Sequence, residues 1–236
     1  MKQYFVDVWQ GHLTPEAETL QHLAGLLDDN ERQKARSFRL PVMSDRYIAT
    51  RGLLRRTLAA YLQADPASLQ FETGAYGKPG LVGGGLYFNL SHTADSLLIA
   101  VANFADIGID IEAIKSRNGL LGIAERCFSA REFDGWQRLS PDRQLECFYR
   151  LWTKKEAFVK AVGRGIALGV EQCEVELEKG GGLLAIPEEY GPASGWTVSE
   201  LPVGEGVCAA LVTANCRFIL RRRLLDAVAE RAAGCC

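Results

Sequence analysis

Three carboxylates and a lysine stand at spacings that can bring them to one point. In Ile107-Gly108-Ile109-Asp110-Ile111-Glu112, isoleucines alternate with Gly, Asp and Glu. An extended chain there puts Ile107, Ile109 and Ile111 on one face and Asp110 and Glu112 together on the other. Farther on, in Trp152-Thr153-Lys154-Lys155-Glu156-Ala157-Phe158-Val159-Lys160, Trp152, Glu156 and Lys160 recur every four residues. They share one helical face, and Leu151, Phe158 and Val162 supply a separate apolar stripe. Three carboxylates suit a hard divalent cation such as Mg2+, with Mn2+ as a substitute, because such ions take few protein ligands, keep waters and bridge to phosphates. Singly, each segment also has a plain reading. Asp110 and Glu112 fit the solvated edge of an amphipathic strand, and Glu156 with Lys160 fits a helical ion pair worth a few tenths of a kcal/mol.

These residues need a strand and a long helix to hold them. Ser140-Pro141-Asp142 starts that helix, which runs through Lys160 to a stop at Gly163 or Gly165. Between strand and helix, Ser129-Ala130-Arg131-Glu132 fits a capping box with Ser129 as N-cap, and this explains Glu132 completely in structural terms. Upstream, Tyr4 to Trp9 reads as a strand, Thr14-Pro15-Glu16 opens a helix with a Leu20, Leu23, Leu26 and Leu27 stripe, and residues 45–58 read as an amphipathic helix. Tyr87–Leu90 and Leu97–Ala102 are strands, as are Trp196–Leu201 and Val207–Thr213, and Val6-Asp7-Val8 compares with Ile109-Asp110-Ile111. The order of elements in the first part thus echoes that in the second, a weak internal duplication. It predicts an α+β fold of two similar halves about a pseudo-twofold axis, with a ligand cleft between them. The boundaries expected are 1–104 for an N-terminal half, 105–220 for a C-terminal half and 221–236 for an extension, helical over Leu224–Arg231.

Composition sets limits. A chain of 236 residues, 47% hydrophobic and 24% charged, buries a substantial core. A net charge of -2 argues against a generic nucleic-acid binder. The N-terminus lacks an apolar secretion segment, and no run approaches the roughly 18 apolar residues of a membrane helix, so a cytoplasmic monomer is expected. Seven scattered cysteines form no zinc pattern and read mostly as small core residues. Cys235-Cys236 is not the usual prenylation pattern and reads as a frayed tail. His12 and His22 lack a partner pattern.

Gly108-Ile109-Asp110-Ile111-Glu112, Phe128-Ser129-x-x-Glu132 and Trp152-x-x-Lys155-Glu156-Ala157-x-x-Lys160-x-x-Gly163 together resemble the signature of the phosphopantetheinyl transferases. The preceding Gly77-Lys78-Pro79 and Asn89-Leu90-Ser91-His92 resemble the longer, Sfp-type branch. The motifs follow the family's order over roughly two thirds of the chain. The resemblance implies the two-half fold and transfer of the 4'-phosphopantetheine arm of coenzyme A to a serine of an apo acyl or peptidyl carrier protein. The products are holo carrier and adenosine 3',5'-bisphosphate. It implies metal binding by Asp110, Glu112 and Glu156, with Lys160 adding a cation at the same phosphates. Lys34, Lys78, Ser91 and His92 would hold the 3'-phosphate end. Each has a plain alternative: Lys34 lies in a basic run that usually marks a solvated face, Lys78 on a turn, and His92 fits a hydrogen-bonded rim residue. Arg46 and Arg51 fit phosphate contacts or an exposed helix face equally. Glu112, Glu132 or a metal-bound water takes the serine proton. Two rivals stand beside this reading: a metal-dependent nucleotide pyrophosphate hydrolase, and a non-catalytic coenzyme A-binding protein.

Overall fold

The computed structural model describes residues 3–225, the side chains of Ile166 and Ala167 excepted. Strand β1 (Phe5–His12) leads into helices α1 (Ala17–Gly25), α2 (Asp29–Arg36) and α3 (Pro41–Leu62). A small hairpin of β2 (Phe71–Thr73) and β3 (Pro79–Leu81) precedes the longer β4 (Tyr87–Thr93) and β5 (Ser96–Ala102). The chain continues through β6 (Ile107–Ala113), α4 (Leu120–Cys127), α5 (Ala130–Gln137) and α6 (Pro141–Val162). A second small hairpin, β7 (Glu174–Val175) and β8 (Leu183–Ala185), is followed by β9 (Trp196–Glu200), β10 (Val207–Ala214) and β11 (Ile219–Leu224).

The longer strands make two sheets, ordered β11-β1-β5-β4 and β6-β10-β9. With β11 left aside, the leading strand of each, β1 or β6, pairs antiparallel with a central strand, β5 or β10, which pairs antiparallel with the strand before it, β4 or β9. Helices α3 and α6 are also alike: each has 22 residues, a proline in its first turn and a left-handed C-cap residue, Gln63 and Gly163. Proline there has no N–H to lose and is preset for helical φ, so α3 starts at Pro41, earlier than its amphipathic pattern suggests.

Alternation along β5 serves two cores. Leu97, Ile99 and Val101 pack with α1 and α3 residues such as Leu23 and Leu54. Leu98, Ala100 and Ala102 face the other way, into a core shared with Val6, Val8, Ile107, Ile109, Ile111 and Leu211. That second core lies between the sheets. Ala210 and Val212 of β10 turn outward onto Ala157 and Phe158 of α6. The layers are therefore helices, sheet, sheet, helix. Each fully buried Ile, Leu or Phe contributes about 1.5–3 kcal/mol by leaving water.

One expected boundary is corrected. Residues 221–224 do not stand outside the core as the start of an extension, because β11 adds to the first sheet in parallel with β1 from Phe5↔Ile219 to Gln10↔Leu224. Leu225 is buried behind it. The rest of the expected terminal helix, with Cys235-Cys236, lies outside the described residues. Of the described cysteines, Cys147 and Cys173 are buried and Cys127, Cys208 and Cys216 half-buried, all as free thiols.

Helix α6 lies directly on β6 and β10. The closest approach is at Gly108, where a Cβ would stand 1.9 Å from the Ala157 carbonyl oxygen and 2.4 Å from the Ala161 nitrogen. Only a residue without a side chain admits the helix backbone there. Gly108→Ala is expected to destabilise the fold by about 3 kcal/mol, a Tm fall of roughly 6–12 °C in thermal unfolding followed by circular dichroism. An unchanged Tm would refute the contact.

Candidate active site

The face of β6 turned away from the inter-sheet core carries Gly108, Asp110 and Glu112, and α6 covers it. Asp110 is buried, while Glu112, Glu156 and Lys160 are half-buried. Lys160 Nζ donates to Asp110 Oδ1 at 2.7 Å, to Ser91 Oγ at 2.9 Å and to the Ile109 carbonyl at 3.2 Å. Ser91 Oγ in turn donates to Asp110 Oδ1 at 2.9 Å. The other oxygen, Asp110 Oδ2, is buried without any hydrogen-bond partner among the described residues. Such an orphan costs about 1–3 kcal/mol, and buried native acceptors rarely stay single.

Charge at this point is unbalanced. Burial pushes the Glu156 carboxyl up from its ordinary value, Asp110 and Glu112 add to the shift, and Lys160 opposes it. The Glu112 carboxyl is also pushed up, first by burial and then by Asp110, against the pull of Lys160, the Thr93 hydroxyl and Arg117. Three acids thus crowd one ammonium. The side chains do not close on one another: among the described residues, no three His, Cys, Asp or Glu groups stand close enough to enclose a metal ion. Asp110, Glu112 and Glu156 nevertheless stand near enough to act on one another's charge.

The site lies on a seam. Strands β4 and β6 run beside each other as edges of separate sheets, and side chains of β4 join them where a ladder would. Asn89 Oδ1 accepts from Ile109 N at 2.9 Å, Ser91 bonds Asp110, and Thr93 Oγ1 accepts from Ala113 N at 3.2 Å and reaches Glu112 Oε2 at 3.5 Å. Asn89 and Thr93 had no assigned part in the sequence reading. Their period-two spacing with Ser91 was the available signal.

His92 is exposed at the end of β4, and desolvation, then Lys160 and then Arg46, hold its imidazole below the usual value. Those two cations therefore lie near it, one from α6 and one from α3. Arg46 is paired with Asp95. Lys34 is on the exposed face of α2 with its ammonium 5.4 Å from the Phe38 ring centroid, and no hydrogen bond or ion pair among the described residues joins it to the carboxylates.

Three residues of the expected site are engaged with protein partners. Lys78 Nζ is consumed by Asp106 Oδ1 at 2.9 Å, the Ala161 carbonyl at 2.8 Å and the Ile107 carbonyl at 3.2 Å. Its three protons tie the loop before β3 to the start of β6 and the end of α6. Arg51 pairs with buried Glu31 and stacks on Phe71, its carbon 4.6 Å from the ring centroid, so it does not reach toward a ligand. Glu132 is away from the seam and fully buried. Its Oε2 accepts from Ser129 N at 2.6 Å and from Lys155 Nζ at 2.7 Å, and its Oε1 from Val175 N at 2.7 Å. The capping box is formed, and no approach remains for a hydroxyl to be activated.

A model of the 4'-phosphopantetheinyl transferase superfamily matches residues 106–212, the stretch that supplies β6 and α6. The chain is 34% identical to the 4'-phosphopantetheinyl transferase HetI of Nostoc over 214 residues, which is 89% of this chain and 88% of the relative. The chain belongs to the 4'-phosphopantetheinyl transferase superfamily. Against the 4'-phosphopantetheinyl transferase Sfp of Bacillus subtilis strain 168 this transferase is 30% identical over 74% of its own length and 78% of the relative's. A further Bacillus subtilis 4'-phosphopantetheinyl transferase is 34% identical over 69% and 72%. None of these names supports either rival reading, the hydrolase or the non-catalytic binder.

Ionising Glu112 and Glu156 is harder in the folded transferase than in the unfolded chain, because both shifts are upward. Their charge is a stability penalty, present in full above the raised folded-state values and gone below the ordinary 4.5. Glu156→Gln is expected to raise Tm by about 2 °C near pH 8, and the gain should vanish as the pH falls to about 4. A Tm gain independent of pH would show that charge is not its cause.

Proposed function

We propose that this transferase moves the 4'-phosphopantetheine arm of coenzyme A onto a serine hydroxyl of an apo acyl or peptidyl carrier protein, giving holo carrier and adenosine 3',5'-bisphosphate. The observation that carries the reading is the uncompensated acid cluster of Asp110, Glu112 and Glu156 around Lys160, placed where two similarly ordered sheets meet. Strands β1, β4 and β5 with α3, and β6, β9 and β10 with α6, form halves about a pseudo-twofold axis, residues 1–104 and 105–218, β11 being added to the first sheet, and the substrate cleft runs along the β4–β6 seam.

Asp110, Glu112 and Glu156 would hold Mg2+ or Mn2+, which when bound neutralises charge on the pyrophosphate of coenzyme A. The donor set fits such an ion: all oxygen, three negative charges, and a buried acceptor on Asp110 without a partner. The protein's own groups do the rest. Lys160 lies beside Asp110 and swings from Oδ1 onto a phosphate oxygen, adding positive charge where it develops on the leaving group. Ser91, whose hydroxyl touches both Asp110 and Lys160, orients that ammonium. Ser91, His92, Arg46 and Lys34 take the 3'-phosphate end; the lowered His92 pKa leaves its imidazole neutral, with one N–H to donate. Glu112 accepts the proton of the carrier serine as its oxygen attacks the phosphorus that bears pantetheine. Charge relief and alignment of nucleophile and leaving group are the main contributions a protein makes to phosphoryl displacement. The reaction is assigned to the cytoplasm and to a monomer.

Incubation of candidate acyl and peptidyl carriers with coenzyme A and Mg2+, followed by intact-protein mass spectrometry, is expected to show the added arm. Asp110→Ala, Glu156→Ala and Lys160→Ala are each expected to cut transfer at least about 100-fold while circular dichroism stays native. Unchanged turnover in Asp110→Ala would sink the site assignment. Adenosine 3',5'-bisphosphate released without modification of any carrier would replace transfer by hydrolysis.

A further inference from the structure

Lys155, next in sequence to Glu156, is fully buried and points away from the seam. Its ammonium donates to Cys173 O at 2.5 Å, Glu132 Oε2 at 2.7 Å, Cys127 O at 2.9 Å and Val170 O at 3.2 Å. Those partners come from the end of α4, the first turn of α5 and the segment after α6. Glu132 reaches on to Val175 N at the start of the small hairpin. One buried ion pair thus fastens α6 to every neighbouring piece on that side.

The pair acts on a defined side of the helix. At about 100° per residue, taking Lys155 as zero, Glu156 lies near 100° and Lys160 near 140°. Ala157 and Ala161, which meet Gly108, lie near 200° and 240°. The working face is bracketed by two contacts. The Gly108 contact holds one side, and the Lys155–Glu132 pair stops rotation about it on the other. A roll of about 20° at the radius of a side-chain end moves a carboxylate by about 2 Å, and misplacement by 1 Å can cost about 100-fold in rate.

We infer that Glu132 and Lys155 are positioning residues, fixing the roll of α6 so that Glu156 and Lys160 face Asp110. This rests on the transfer reading above and assigns the pair no contact with substrate. Replacing both members of a buried pair can leave stability nearly unchanged, so the double variant Glu132→Gln/Lys155→Met separates position from folding. The full-length variant is compared with wild type in kcat and in KM for coenzyme A, and in Mn2+ affinity by electron paramagnetic resonance with coenzyme A present. The expected result is a native circular dichroism spectrum, kcat lower by about 10- to 100-fold, KM for coenzyme A within about threefold, and Mn2+ bound about 10-fold more weakly. If the double variant does not fold, Glu132→Asp, which keeps the charge and shortens the arm, should show the same split at about threefold. A folded variant that keeps wild-type kcat and Mn2+ affinity overturns the inference. A wild type that modifies no carrier while the Mn2+ contrast persists overturns the transfer reading and leaves the positioning role standing. If wild type binds no Mn2+, the kcat comparison decides alone.

Discussion

The contact between the backbone of α6 and Gly108 of β6 is the constraint on which the site depends. A helix kept off a sheet by side chains sits about 10 Å away, and its acids then belong to solvent. Here the helix backbone fills the space where a Cβ would be. Glu156 and Lys160 are pressed toward Asp110 and Glu112, and the Glu112 and Glu156 carboxyls are pushed up first by the burial this brings and then by the neighbouring Asp110 charge. Apolar packing of Ala157, Phe158 and Val212 supplies the free energy that holds like charges together.

Most of the basic residues near the helices serve structure. Arg55 is fully buried, bonded to Glu31, Asp28 and the carbonyls of Pro66 and Leu69. Lys154 is fully buried too, on Glu200 and the Gly181 carbonyl. A buried cation with several acceptors locks segments together, because losing any one partner strands a charge. Once these are set aside with Arg51, Lys78 and Lys155, Lys160 is the cation bonded to Asp110, with Arg117 acting on Glu112 and Arg46 near His92.

The strand and the helix were legible because their signals are local. Period two through Ile107, Ile109 and Ile111 placed Asp110 and Glu112 on the opposite face, and period 3.6 placed Glu156 with Lys160. The cap at Ser129, the proline start and the glycine stop of α6 follow from backbone rules that act within four residues. What the sequence hid are meetings of residues far apart. Lys155 is 23 residues from Glu132, Lys78 is 83 from the Ala161 carbonyl, and β11 joins a strand at the other end of the chain. Parallel pairing across such a distance has no signature in either strand alone, so residues 221–224 read as the start of an extension past the core. A lysine in an interior network looks the same in sequence as one in solvent.

Asp7 and Asp110 show what separates an anchor from a site. Both sit in Val or Ile flanks on the strand that leads its sheet, and both face the 22-residue helix of their own side. Asp7 is fully buried and amply served: Tyr61 donates to it from α3, Arg221 contributes two N–H groups, and Arg223 another. Both of its oxygens are occupied, and its charge fastens β11 to β1. Asp110 has donors on Oδ1 alone, from Ser91 and Lys160, and Glu112 and Glu156 add negative charge around it. The same residue at the same place in the strand order is thus satisfied by protein cations in one sheet and left wanting a cation in the other. An unmet demand of this kind lowers the stability of the fold, and under the proposed function a bound cation would meet it.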